Sequence, residues 1–377
     1  MIPRLLQSSI YNAINNDKKI VILYGPRQVG KTTLINSLIE KLNIKTIKAN
    51  GDELIYHDVF STRDLKKMLD FIDDNELLFI DEAQNISEIG INLKILHDNN
   101  PQLKIIVSGS SSLDLADKIK EPLTGRSISY LLYPVSISEE RQYRSKFDIS
   151  QNLSDYLTFG MYPEIVSIES RQKKITRLKE LASSYLYKDI LVLSNIKNSD
   201  KIFKLLQLLA YQIGQPVSIN ELSNSLGLSS ETVNYYIDLL EKSFVVYRLS
   251  ALSNNPRKEI SKMSKIFFYD IGIRNTLIDS FQDIEMRNDK GQIFENFIIN
   301  ERIKRNAYLE DYARYYYWRT YGGAEIDFIE SKDDRYFAYE IKYRSKKIRE
   351  PLSWSANYVN SEFKIINPDN FLEYVLI

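Results

Sequence analysis

Tyr24-Gly25-Pro26-Arg27-Gln28-Val29-Gly30-Lys31-Thr32-Thr33 follows the apolar run Ile20-Val21-Ile22-Leu23 and leads into a periodic segment through Leu34, Ile35, Leu38 and Ile39. Strand, glycine loop and helix in that order predict a P-loop. Gly25 and Gly30 let successive backbone N–H groups turn inward onto a phosphate, and the helix N-terminus adds its dipole. Lys31 is expected to reach the β- and γ-phosphates of a nucleoside triphosphate, and the Thr32 hydroxyl to complete the shell of its Mg²⁺. Gly25, Pro26, Arg27, Gln28, Val29, Gly30, Lys31, Thr32 and Thr33 are thus the expected contacts of ATP.

Outward from the loop, residues 1–19 read as an amphipathic helix through Leu5, Leu6, Ile10 and Ile14. Strands are expected at Thr46-Ile47-Lys48-Ala49, Leu77-Leu78-Phe79-Ile80, Lys104-Ile105-Ile106-Val107 and Ile128–Leu132. Leu77–Ile80 is an uninterrupted apolar run of the kind buried in a parallel sheet, and Lys104–Val107 reads as another buried strand. The first of these two runs into Asp81-Glu82-Ala83-Gln84, four apolar residues followed by paired acids, which is a Walker B arrangement. Asp81 is expected to hold Mg²⁺ and Glu82 to polarise the attacking water. Lys104–Val107 ends in Ser108-Gly109-Ser110-Ser111-Ser112, where Ser108 or Ser110 supplies a sensor hydroxyl, caps a helix from about Leu113, or does both. Ser110 is the candidate carried forward.

Composition narrows the remaining classes. The chain has 377 residues, enough for two or three domains, with 50 basic and 50 acidic side chains, so any nucleic-acid site must be a local patch. There is no cysteine, which excludes disulfides, thiolate metal sites and thiol nucleophiles. His57 and His97 are too far apart to suggest a helical metal pair. The first residues contain no long apolar segment of a secretory signal, and no apolar run approaches the ~18–20 residues of a membrane span. These features read as a soluble, cytoplasmic protein without a membrane partner.

The order GPRQVGKTT, LFIDEAQ, SGSSS and LTGR resembles the AAA-type branch of P-loop ATPases, and in detail one prokaryotic family within it. In that family the C-terminal half is a domain of unknown function with a restriction-endonuclease-like core. The resemblance extends to GMYPEIV (160–166) and YLYKDI (185–190) and implies ATP hydrolysis more firmly than it implies a biological role. It also implies an arginine finger between the sensor strand and the last sheet strand, an interval that Arg126 occupies. The finger could act in cis or, in a homo-oligomer, in trans; otherwise Arg126 is bonded within its own domain.

Residues 136–200 are expected to be a helical lid or connector, with helices at Leu153–Gly160 and Ile175–Leu193. Ser218 caps Ile219–Leu226 with Glu221 at the third position, Ser229 caps Thr232–Lys242, and Phe244–Leu249 would be the wing of a winged helix-turn-helix. Glu231, Asp238 and Glu241 on the would-be recognition helix favour an architectural or protein-contact role over groove entry.

From about Asn254 the chain turns aromatic and β-rich. A helix over Gln292–Arg305 carries Glu295, and strands follow at Tyr315–Arg319, Ala324–Glu330 and Tyr336–Tyr343. Alternation places Glu325 and Asp327 on one strand face and Glu340 and Lys342 on one face of the next. This is a PD-(D/E)xK nuclease layout without the Pro-Asp dipeptide. Asp327 and Glu340 are the expected ligands of a second Mg²⁺ site, with Glu295 and Lys342 beside them. Lys342, Arg344, Lys346, Lys347 and Arg349 are the densest basic run and the expected path of a DNA or RNA backbone.

The fold expected is therefore α/β. A P-loop AAA-type parallel sheet with helices (1–135) leads to a helical connector (136–200), a winged helix (201–253) and a nuclease-like α/β domain (254–377). ATP hydrolysis coupled to nucleic-acid binding or processing is one reading of it. An ATP-dependent switch whose C-terminal domain only binds a protein or nucleic-acid partner is the other.

Overall fold

All five residues of Ile20–Tyr24 are buried, because the strand they form lies inside a sheet covered on both faces. The computed structural model describes residues 2–110, 122–194, 199–253, 263–320, 322–344 and 348–377; side chains are described over these residues except at 184–194 and 199. Ser111, Ser112, the helix expected from Leu113, Lys346 and Lys347 lie outside the described residues, and Tyr185, Tyr187 and Leu191 lie among the side chains not described. The chain forms two units, one mainly of residues 3–134 and one mainly of residues 135–377.

In the first unit β1 (Ile20–Tyr24), β2 (Thr46–Asn50), β3 (Leu77–Asp81), β4 (Lys104–Gly109) and β5 (Ser127–Leu131) pair in the order β2-β3-β4-β1-β5. Every pairing is parallel. The N-terminal helix Leu6–Asn16 buries Leu6, Ile10, Ala13 and Ile14, a 3.6-residue stripe. Burying each such aliphatic side chain contributes about 1.5–3 kcal/mol. Because β4 and β3 lie between β1 and β2 in the ladder, Asp81 and Ser108 reach the same carboxyl-end edge as the loop that follows Tyr24. This is the edge where open α/β sheets bind ligands.

The second unit begins with helices. Leu153–Phe159 and Arg171–Ser194 fall where periodicity predicts them, and between them Pro163–Ser167 is a short helix begun by its proline. Ile219–Leu226 and Ser230–Lys242 are capped by Ser218 and Ser229, which accept from the backbone N–H of Glu221 (3.3 Å) and Thr232 (3.2 Å). Arg248 pairs with Asp238 (2.6 Å) and Glu241 and donates to the carbonyl of Asn234 (3.5 Å), so the acids of the second helix are held by the following strand.

The expected wing does not stand by itself. β6 (Val246–Ala251) lies between β7 (Lys265–Phe268) and β8 (Arg314–Arg319) in a six-stranded sheet. With β9 (Glu325–Lys332), β10 (Arg335–Ile341) and β11 (Ser361–Ile366) the order is β11-β10-β9-β8-β6-β7. The division expected at 253/254 therefore falls between two paired strands. β9 and β10 are joined by Asp333 and Asp334, both with positive φ (48° and 60°), as a two-residue hairpin turn requires. The helix Lys290–Tyr308 packs beside the edge strand β7 and satisfies it. Asn296 accepts from the Phe268 N–H and donates to its carbonyl, both at 2.8 Å, and Asn300 donates to the same carbonyl at 2.9 Å. Edge groups that would otherwise pair with another chain are thus covered. Among the described residues, no helix is long and apolar enough to cross a membrane.

Candidate functional site

The loop after β1 is shaped by glycine where no other residue fits. A Cβ on Gly25 (φ +152°) would stand 2.4 Å from the Leu132 carbonyl oxygen. Gly30 (φ +98°) is the N-cap of the helix Lys31–Leu42 and provides no side-chain cap, and a helix N-terminus of this kind suits an anionic ligand. Lys31, 5% exposed, folds its ammonium back to donate to the carbonyls of Gly25 and Pro26, both at 2.9 Å. Arg4, from the N-terminal segment, donates to the Val29 carbonyl at 2.8 Å and to that of Tyr133, tying the far side of the loop to the end of β5. Arg27 and Gln28 are half-buried and exposed, and Thr32 and Thr33 are exposed.

Facing the loop, the Thr32 hydroxyl donates to Asp81 Oδ2 at 2.6 Å, while Ser108 and the Glu82 N–H (3.0 Å) donate to Asp81 Oδ1. Glu82 sits in the left-handed region (φ +47°). Such backbone costs about 1–3 kcal/mol and concentrates at functional sites. Gly51 makes that conformation possible, since a Cβ there would come within 2.2 Å of the Glu82 carbonyl oxygen. Gln84, 6% exposed, donates to Glu82 Oε2 at 2.5 Å and to Ser110 Oγ at 3.3 Å. The hydroxyl of Thr32 and the carboxylate of Asp81 are adjacent hard oxygen donors, the kind Mg²⁺ takes.

Arg126 is not brought to this loop. Its carbonyl accepts from the Ile20 N–H, and the register Ile20↔Ser127 sets it at the amino end of the sheet, about 16 Å from the loop at 3.3 Å per strand residue. There its guanidinium is paired side-on with Asp98 (Nε–Oδ1 2.7 Å, Nη2–Oδ2 3.0 Å).

In the second unit, a cleft of about 330 Å³ is lined by Glu295, Glu325, Asp327, Glu340, Lys342 and Lys265, among others. The register Phe328↔Tyr339 carries Asp327 opposite Glu340, and Asp327 Oδ2 accepts from the Ile341 N–H at 2.8 Å. Lys342 lies just past β10 and bridges Asp327 Oδ2 (2.9 Å) and Glu340 Oε1 (2.8 Å). Lys265, which sequence reasoning missed, bridges Glu295 Oε1 (3.1 Å) and Glu325 Oε1 (2.7 Å). The detectable signal was a lysine opening the apolar run Ile266-Phe267-Phe268, since a charge at the head of a buried strand needs partners.

Burial, and then the Asp327 charge, push the carboxyls of Glu295 and Glu340 upward. Burial alone would lower both lysines, but the facing carboxylates outweigh it and hold them protonated. Each of the four acids is thus engaged by an ammonium or, at Glu295 and Glu340, shifted toward carrying a proton. Among the described residues no group of three or more acidic or histidine side chains is placed to hold a metal ion, and one oxygen each of Asp327 and Glu340, the expected Mg²⁺ ligands, is engaged by Lys342.

Residues 17–140 match the family described as an AAA domain, residues 150–283 and 290–364 two domains of unknown function (DUF8612 and DUF4143). An uncharacterized protein of Methanocaldococcus jannaschii is 25% identical over 87% of this chain and 76% of its own length. One of Mycobacterium tuberculosis is 28% identical over 86% and 70%. A Walker-type ATPase of Pyrococcus abyssi shares the fold over 74% of this chain and 96% of its own, with a TM-score of 0.51 at 15% identity. Residues 17–140 thus form an AAA-type P-loop domain. The C-terminal part of the chain falls in a domain family whose function is unknown.

Proposed function

We propose that the chain binds ATP with Mg²⁺ at the β1 loop, hydrolyses it, and uses the cycle to control a nucleic-acid partner held by the C-terminal unit. The observation that carries the first part is the Thr32–Asp81 contact of 2.6 Å at the mouth of a loop whose lysine is already turned inward. On ATP binding Lys31 exchanges the carbonyls of Gly25 and Pro26 for β- and γ-phosphate oxygens. Thr32 and Asp81 would hold Mg²⁺, which would supply charge neutralisation for the phosphates. Glu82 orients the attacking water and accepts its proton, and Ser110 senses the γ-phosphate through Gln84.

Nucleic acid as partner is supported by the exposed Arg344 and Arg349, the first of them two residues past Lys342 of the C-terminal cleft. Cation-rich segments of this kind meet phosphates with strong salt dependence.

Two measurements test the reading. Glu82→Gln should still bind ATP but lose about 10²–10⁴ in turnover, the usual worth of a general base; native turnover in that variant would remove Glu82 from the chemistry. ATPase activity should rise on adding single- or double-stranded DNA or RNA, and the rise should vanish when Lys346, Lys347 and Arg349 are neutralised. No stimulation by any of them would leave the ATPase and drop the nucleic-acid partner.

A further inference from the structure

Lys265 is 1% exposed, its ammonium enclosed by Glu295, Glu325 and the face of Tyr317, 5.3 Å from the ring centroid. It enters from β7, a strand on the opposite side of β6 and β8 from the Asp327 strand, so it is no part of an acid–acid–lysine sequence pattern. Two features fix it there. β7 is tied to Asn296 and Asn300 of the helix that carries Glu295, and Pro216 makes an isolated bridge to Lys265 itself. Gly214 (φ +72°) lets the chain approach Glu295, since a Cβ added there would stand 3.3 Å from Oε2.

A divalent ion in a phosphodiester-cleaving site needs carboxylate lone pairs free and directed at one point. Here one oxygen of each of Glu295 and Glu325 is spent on Lys265, and one of each of Asp327 and Glu340 on Lys342. Lys342 is partly exposed and flexible enough to swing aside, whereas Lys265 has no room to leave. A divalent ion among these acids would have to share the site with a fixed positive charge.

We propose that Lys265 is a built-in cation that occupies the place of a divalent metal among Glu295, Glu325 and Asp327, so that the cleft contacts its partner without cleaving phosphodiester bonds. This rests on the reading of the C-terminal unit as a nucleic-acid module, and it decides between its two forms, binding rather than cutting.

The test is an Mn²⁺ titration of the nucleotide-free full-length chain, followed by electron paramagnetic resonance. The native protein and Asp327→Asn should bind Mn²⁺ alike, because no ion resides at Asp327. Lys265→Met should gain one ion per chain at least tenfold tighter than any in the native protein, and adding Asp327→Asn or Glu295→Gln should remove it. If Lys265→Met does not fold by circular dichroism, Lys265→Gln, which removes the charge but keeps a hydrogen-bond donor for Glu295 and Glu325, should show the same gain. An ion in the native protein that Asp327→Asn abolishes would overturn the proposal, as would a folded Lys265 variant with no gain. Stimulation of ATPase activity by nucleic acid is read separately, so its absence would remove the partner while leaving the Mn²⁺ result to stand.

Discussion

Gln84 holds Glu82: its side-chain amide donates to Glu82 Oε2 at 2.5 Å and reaches Ser110 Oγ at 3.3 Å. One carboxylate oxygen is therefore restrained while the other is left for water, and the same amide touches the end of β4. Removing it frees the carboxylate to rotate without touching the nucleotide contacts. Gln84→Ala should lower kcat by about 10-fold or more with an unchanged KM for ATP, within the range a misplaced base costs. Gln84→Glu should set a second carboxylate beside Glu82, raise its pKa by like-charge repulsion, and move the acid limb of the kcat–pH profile upward. An acid limb that stays in place would show that Gln84 does no more than fill space.

Arg126 and Asp98 make a bidentate pair at the end of the sheet remote from the loop. Asp98 is held below the usual carboxylate range by that guanidinium, yet the pair is open to solvent and screened by salt. If an arginine so placed contributes to hydrolysis, it does so from a neighbouring subunit. Turnover per chain should then rise with protein concentration, and mixing Arg126→Ala with Lys31→Ala chains should restore part of the activity that each lacks. Full activity in a dilute monomer would take Arg126 out of the reaction.

The sheet of the first unit was legible because its three central strands, β1, β3 and β4, are short apolar runs buried on both faces, with the loop and acid motifs at their carboxyl ends. Sequence spacing also brought Asp327 and Glu340 together, since alternation along two paired strands is a local rule. What escaped was set by non-local pairing. β6 looks like a free wing until β8, more than sixty residues away, pairs with Ser250 and Ala251. Lys265 likewise meets Glu295 and Glu325 only once β7 and the helix Lys290–Tyr308 are side by side. For Arg126 the cis, trans and intradomain readings all stood open, because its interval in the sequence does not say which end of the sheet it occupies.

Asp289 stands between two buried arginines, 2.6 Å from Arg274 and 2.8 Å from Arg287. Burial works against its charge, but the two guanidinium groups prevail and bring its pKa down to about 2. A carboxylate lowered in the folded state contributes stability that is present above its unfolded pKa and lost as pH falls through the folded value. The contribution should therefore fade between about pH 4 and pH 2. Asp289→Asn should cost about 3–5 kcal/mol near neutrality, since it leaves two buried cations uncompensated, and its urea midpoint should change less than the native one over that acid window. Equal acid sensitivity in the two proteins would assign the loss to other carboxylates.

Thr32 and Asp81 supply the last prediction. Their 2.6 Å hydrogen bond joins the first turn of the helix after the loop to the end of β3, and Ser108 fixes the other oxygen of the same carboxylate. Asp81 is thus oriented before any ligand arrives, and a group held in place loses little freedom on binding. Chelating Mg²⁺ should abolish turnover in the native protein, and Mn²⁺, which also prefers carboxylate and hydroxyl oxygens, should restore it. The sharper measurement is nucleotide affinity with and without Mg²⁺. Native protein should bind ATP about tenfold tighter or more with the ion, equivalent to about 1.4 kcal/mol. Asp81→Ala and Thr32→Val should each lose most of that gain while binding ATP in chelator as the native chain does, because Lys31 and the loop N–H groups are untouched. Lys31→Ala should do the reverse, weakening ATP binding in chelator as well. If Asp81→Ala kept the full Mg²⁺ enhancement, the carboxylate at the end of β3 would serve only to anchor Thr32, and the ion's protein ligand would have to be sought elsewhere on this edge of the sheet.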